Sequence, residues 1–307
     1  MNNDQHTIKN KKRIFPRNVK KYIFLAVMLI IPIVHFAIFW GAVNFNSILL
    51  GFQRLNINTQ KLYFTFENFK FLKAYFGKSG ELRVALGNTL LTWAFLTVFL
   101  IPWAFIITYF LYKKIPLGGV WRTMLFIPSL LPAVAMTSIF FYIIQPGAPV
   151  GKLATLLTGQ QFAFLNDIKY AKWAIILYIF WTNFGGSFIL ISGAMARVPK
   201  EVLESARLDG AGLWTEMLRI ILPLCWPTIS MLLLLNMAGI FTSSGPILLL
   251  TKGQNNTATL SYWIFQEVRF SQYYVPSAMG LVCTAVLFPI VLLVRWGLGK
   301  VYADVEF

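Results

Sequence analysis

Six long apolar runs, parted by shorter polar stretches, set the pattern of this chain. They lie near 23–43, 85–111, 121–145, 173–195, 223–250 and 276–296. About 20 apolar residues in a helix cross the roughly 30 Å of a bilayer's hydrocarbon, and each run reaches that length. The pattern therefore predicts six transmembrane helices over 23–307, behind a polar tail at 1–22. The tail is basic (Lys9, Lys11, Lys12, Arg13, Arg17, Lys20, Lys21), which marks it as cytoplasmic. An even number of spans puts the C-terminus on the same side. Residues 44–84, 146–172 and 251–275 then lie outside, and 196–222 is a long cytoplasmic connection. The loop 44–84 mixes Lys61, Tyr63, Phe64, Phe66, Phe69, Lys70 and Phe71, and reads as one or two short amphipathic elements on the membrane surface. Pro102, Pro128, Pro132, Pro227, Pro246 and Pro289, with Gly185-Gly186 and Gly239, fall within or near the spans. Irregular backbone at membrane depth is tolerated where it is buried in protein or lines a wet cavity, so their number predicts a bundle around a passage.

Composition agrees. Of 307 residues, 57% are hydrophobic and only 12% charged, about half the charged share of a soluble domain. The net charge of +16 could mean nucleic acid, but on a membrane chain it reports orientation and anionic lipid, and no nucleic-acid partner is inferred. Sorting the 27 Lys and Arg by the topology above puts about 16 inside and 11 outside. Cys225 and Cys283 both fall in apolar runs and read as small buried hydrophobes rather than a disulfide.

The most informative stretch is 199–223. Pro199 suits the first turn of a helix. Val202, Leu203 and Ala206 give a narrow apolar stripe, and Glu204 and Arg207 can pair at i,i+3 on the wet side. Asp209-Gly210 predicts the stop, since glycine takes the left-handed cap conformation without penalty. A second helical pattern (Leu213, Trp214, Met217, Leu218, Ile221) is expected to end against Pro223. Two short helices around a small-residue corner form a docking element, because a partner can approach Gly210, Ala211 and Gly212 closely.

Here the chain resembles a known family. Glu204-Ser205-Ala206, three residues, Gly210, nine residues, Ile220, one residue and Leu222-Pro223 is similar to the "EAA…G…I-x-LP" loop of binding-protein-dependent ABC importer permeases, with Ser205 in place of the first Ala. From about residue 81 onward, Asn88-Thr89, Trp121 to Pro128, Leu250 to Gly253 and Thr257 to Tyr262 resemble the carbohydrate-importing branch, and the N-terminal span with its long outer loop resembles the maltose-type first permease. The resemblance implies an all-α membrane protein of the type I ABC importer permease fold, multi-pass in a bacterial cell membrane, with both termini cytoplasmic. It implies that 196–222 is the coupling loop, with Glu204, Ser205, Ala206, Asp209, Gly210, Ala211 and Leu213 docking an ATPase. The implied partners are a second homologous permease, two ATPase subunits, an extracytoplasmic solute-binding protein and membrane lipid.

What is missing narrows the chemistry. Gly77-Lys78-Ser79 ends like a phosphate-binding loop, but Leu72 stands where its first glycine belongs, so ATP and Mg are expected on a separate chain and no cofactor on this one. The only histidines, His6 and His35, have no metal or nucleophile grouping around them. The interiors of the spans carry no Asp, Glu, Lys or Arg, and the nearest, Arg122 and Arg295, stand at span ends. Proton-coupled carriers need intramembrane ionisable groups, which weakens a secondary transporter as the alternative; a sodium-coupled carrier using backbone carbonyls stays open. A membrane enzyme or scaffold lacks its catalytic groups. For a hydroxyl-rich ligand the candidates at membrane depth are Trp181, Asn183, Asn236, Thr242, Ser243 and Ser244, which combine amides, hydroxyls and an aromatic face. The family usually carries an acidic or amide residue where this chain has Ser243-Ser244. Outside segments hold about 11 basic and 4 acidic residues, an excess that anionic lipid, an acidic binding protein or an acidic oligosaccharide would each explain.

Overall fold

The computed structural model describes residues 17–56, 58–78, 80–241 and 245–301. In chain order these form α1 (Val19–Gly51), a hairpin of β1 (Gln53–Leu55) and β2 (Leu62–Phe64), α2 (Glu67–Lys78) and α3 (Glu81–Tyr112). Then come α4 (Gly118–Leu130), α5 (Ala133–Ile144), α6 (Pro149–Thr158), α7 (Ile168–Ala196) and α8 (Lys200–Leu208). The chain closes with α9 (Leu213–Ala238), α10 (Gly245–Leu250), α11 (Leu260–Arg269) and α12 (Tyr274–Val301). Among the described residues, six helical stretches are long and apolar enough to cross a membrane: α1, α3, the α5–α6 stretch, α7, α9 and α12.

The helix α7 is the centre, packed against α3, α4 and α9. Its expected break at Gly185-Gly186 does not form, and the helix runs unbroken from Ile168 to Ala196. The glycine is needed for closeness instead: a Cβ on Gly185 would collide with the Ser129 side chain of α4. Gly185→Leu is therefore expected to lower stability by about 1–3 kcal/mol through overpacking, and Ser129→Gly to recover part of it. Thermal unfolding of the purified variants measures both effects.

Prolines shape the other spans. Pro102 and Pro223 would each clash with the carbonyl four residues back in a regular helix. In both cases that residue, Val98 or Arg219, lies in a π-helical stretch, Leu96–Leu100 or Glu216–Ile221, which re-registers the backbone hydrogen bonds. This is why α9 does not stop at Pro223 as its sequence predicts but carries on to Ala238. The expected third span splits at Leu131, which is extended (φ −77°, ψ 145°) because it precedes Pro132. The expected fifth span also breaks, α9 ending at Gly239 and the chain resuming helix at Gly245. The short helices beyond the two breaks, α5 and α10, pack on each other.

Beyond α1, the loop expected to lie outside contains the amphipathic α2 and a hairpin that three-residue strands gave no alternation to announce. Asn68, fully buried, donates to the carbonyls of Gly51 and Gln53 at 2.9 Å and ties α2 to the end of α1 and to the hairpin. The helix α1 otherwise stands exposed along its length and meets α12 at its last turns. His35 sits on this exposed helix, its ring against Phe39. Cys225 and Cys283 are buried free thiols.

Candidate functional site

Helix α3 links two places where polar groups gather. At mid-length, Thr89, Thr92, Trp93 and Leu96 line a cavity of about 260 Å³ with Ile179 and Asn183 of α7 and Asn236, Gly239 and Ile240 at the end of α9. Asn183 and Asn236, singled out from sequence, thus face one space. Each donates its amide to the carbonyl one turn back, Ile179 O at 2.8 Å and Leu232 O at 3.0 Å. Trp93, which lines the same cavity, has its Nε1 buried without a partner. Among the described residues, none that lines the cavity is charged. Donors, acceptors, hydroxyls and an indole face without charge suit an uncharged, hydroxylated ligand better than an ion.

Of the other sequence candidates, Trp181 is placed elsewhere, in an apolar cavity of about 440 Å³ with Trp103, Phe140, Phe180 and Phe184. Thr242, Ser243 and Ser244 lie outside the described residues. Thr89, Thr92 and Trp93 were not singled out as ligand contacts, although their spacing of three and four marks a polar stripe along an apolar helix.

The second gathering is at the far end of α3, where the loop 197–212 packs. Leu203 and Ala206 of α8 are buried against the bundle, whereas Val202 faces out. The helix ends as the sequence predicts: Gly210 is left-handed (φ 78°), its N–H reaches Arg207 O at 3.0 Å and Ala211 N–H reaches Ala206 O at 2.9 Å. These are the two bonds of a Schellman motif, with glycine at its left-handed position. A Cβ on Gly210 would meet nothing in this chain. Glu204, Ser205, Asp209 and Leu213 are exposed, Ala211 is half-buried, and Leu208 and Trp214 add large exposed apolar surface.

Beneath this corner sits Glu216, 2% exposed, in ion-pair contact with Lys113 at the end of α3 and 3.7 Å from Arg207 of α8. Arg207 therefore turns to Glu216, not to Glu204 as its spacing suggested. Tyr109 Oη donates to Leu213 O at 3.1 Å beside it. One buried carboxylate so joins α3, α8 and α9. The sequence offered a hint, since Lys113-Lys114 are the only charges between α3 and α4, but nothing local pairs them with Glu216.

Comparison with known proteins places this architecture. A family model described as "Binding-protein-dependent transport system inner membrane component" matches residues 100–303. The multiple sugar-binding transport system permease protein MsmF of Streptococcus mutans is 26% identical over 268 residues, covering 84% of this chain and 88% of that protein. Protein LplB of Bacillus subtilis is 28% identical over 280 residues, covering 86% and 84%. Among solved structures, a chain of the bacterial alginate ABC transporter, in complex with an alginate pentasaccharide-bound periplasmic protein, superposes with a TM-score of 0.80 at 20% identity over 94% of this chain and 98% of that one.

Proposed function

The chain belongs to the family of binding-protein-dependent transport system inner membrane components, and from that premise we propose that it conducts a saccharide across the cell membrane as one permease subunit of an ATP-driven importer. The observation that carries the sugar reading is the uncharged polar cavity at the middle of α3, walled by Asn183, Asn236, Thr92 and Trp93. Relatives whose names specify sugar transport support it. The ion-coupled alternative finds no charged group in that lining.

In this reading a separate ATPase seats against the exposed face of α8 and the Gly210 corner. ATP and Mg are bound there, on the partner. Movement of the corner passes through Glu216 to α3, so the bundle shifts between outward-open and inward-open states. A cavity of about 260 Å³ is small beside the roughly 300–1,000 Å³ of ligand pockets, which fits a passage completed by a second permease. The exposed α1 and the apolar cavity at Trp181 offer surface for that subunit or for lipid. An extracytoplasmic binding protein would deliver the ligand to the outer end, the termini lying in the cytoplasm.

The test is uptake of labelled neutral saccharides by cells expressing the whole importer. Asn183→Leu and Asn236→Leu are each expected to reduce uptake roughly tenfold, a lost hydrogen bond to a buried ligand hydroxyl costing about 1–3 kcal/mol. ATPase co-purification should be unchanged. Wild-type uptake in both variants would place the passage elsewhere.

A further inference from the structure

A larger cavity, about 500 Å³, opens at the other end of α3, between its first turn, the loop 252–258 and α11. The loop is held in an unusual shape: Lys252, Asn255 and Asn256 have φ of 52°, 55° and 55°, and Gly253 lies so close to Tyr262 that a Cβ would strike the ring. Asn88 clamps the loop from α3, donating to Asn256 O at 2.7 Å and Ala258 O at 2.8 Å, and Asn255 donates to Leu165 O at 2.8 Å.

Two residues that line this cavity each carry a buried polar atom without a partner. Gln266 spends its amide nitrogen on Tyr262 Oη at 2.6 Å, which leaves Oε1 buried and unused. Trp263 is 6% exposed, and its Nε1 is likewise unpartnered. One is an acceptor and the other a donor, and a hydroxyl group can serve either. A bare cation would answer Gln266 and leave the indole N–H unmet. The wall also carries the carboxylates of Glu81 and Glu267 against a single, exposed Lys252. Burial, then the charge of Glu81, pushes the Glu267 carboxyl above its ordinary range. Carboxylates and amides accept from sugar hydroxyls, and the rings of Tyr262 and Trp263 give an apolar face.

We propose that this outer cavity is a second saccharide subsite, selective for an uncharged sugar ring and against uronates. It rests on the sugar-importer reading and adds the ligand's charge class. The basic excess of the outer segments sits mainly on 54–83 and does not line this wall beyond Lys252. Glu81 lies eleven residues before Thr92, about 16 Å along the same helix, so the two cavities stand in series. The Asn88-clamped segment ending at Thr259, which lines the inner cavity, is the partition between them.

The experiment measures binding of labelled maltotriose, trehalose, lactose, raffinose and trigalacturonate to the assembled transporter in nanodiscs, without binding protein. Asn183→Leu/Asn236→Leu is used throughout to silence the inner cavity. At least one neutral saccharide should still bind and trigalacturonate should not. Gln266→Leu should weaken the neutral ligand at least tenfold. Glu81→Gln/Glu267→Gln, nearly isosteric, should bring trigalacturonate binding up at least fivefold. Loss of all saccharide binding once the inner amides are gone, or wild-type behaviour in either outer variant, overturns the subsite. In parallel, the intact importer is assayed for ATP-driven uptake of the same panel. Uptake of a neutral sugar there with no outer-site binding refutes this inference alone, whereas uptake of no saccharide refutes the importer reading and this inference with it.

Discussion

Glu216→Ala is expected to lower the stability of the protein by about 3–5 kcal/mol, the cost of stranding a buried charge whose partner has been removed. Lys113, only 15% exposed, is the group stranded, because Arg207 is 58% exposed and can turn to water. Lys113→Met alone should be less damaging, because Glu216 keeps Arg207 3.7 Å away. The pair Lys113→Met/Glu216→Leu should recover most of the loss, since apolar replacement of a buried ion pair is often neutral or better. With Glu216→Leu as the second single variant, the wild type, Lys113→Met, Glu216→Leu and the pair form a double-mutant cycle in thermal or denaturant unfolding. Transport separates stability from linkage: the apolar pair should hydrolyse ATP in the assembled importer while moving less sugar per ATP. An apolar pair with wild-type coupling would reduce the Glu216 cluster to packing.

Gly210→Trp is expected to abolish uptake, whereas Gly210→Ala should retain a substantial part of it. Both place a side chain at φ 78° and incur about 1–2 kcal/mol of left-handed strain. A Cβ at this position meets nothing within this chain, so the alanine variant carries the backbone strain alone. The docking reading expects the further loss in the tryptophan variant to arise against a partner at the small-residue corner. ATPase co-purification reads that difference directly: retained with Ala, lost with Trp. Equal behaviour of the two variants would remove the corner from the docking surface.

Much of this was legible in sequence because the signals are local. Apolar run length announced the spans, and Asp209-Gly210 announced the end of α8 through the conformational freedom of glycine. Asn183 and Asn236 stood out as amides in apolar helices, and they do share a cavity. What stayed hidden depends on pairs of residues far apart in the chain. Gly185 read as a break, yet it exists for Ser129, and nothing in the run 173–195 names that neighbour. Pro223 read as a terminator because propensity sees the missing N–H and cannot see a π-helical turn absorbing it. Nothing local in the sequence pairs Glu216 with Lys113 and Arg207, which close over it. Trp181 sits two residues from Asn183, about 200° round a helix, and so faces a different cavity.

The central claim, sugar movement driven by ATP through this chain, is tested most directly in proteoliposomes holding the two permeases and the ATPases, with binding protein added outside. Labelled neutral saccharide should accumulate only with Mg and ATP inside, and Gly210→Trp should stop both accumulation and ligand-stimulated hydrolysis. Accumulation driven by a sodium or proton gradient with no ATP present would contradict the account.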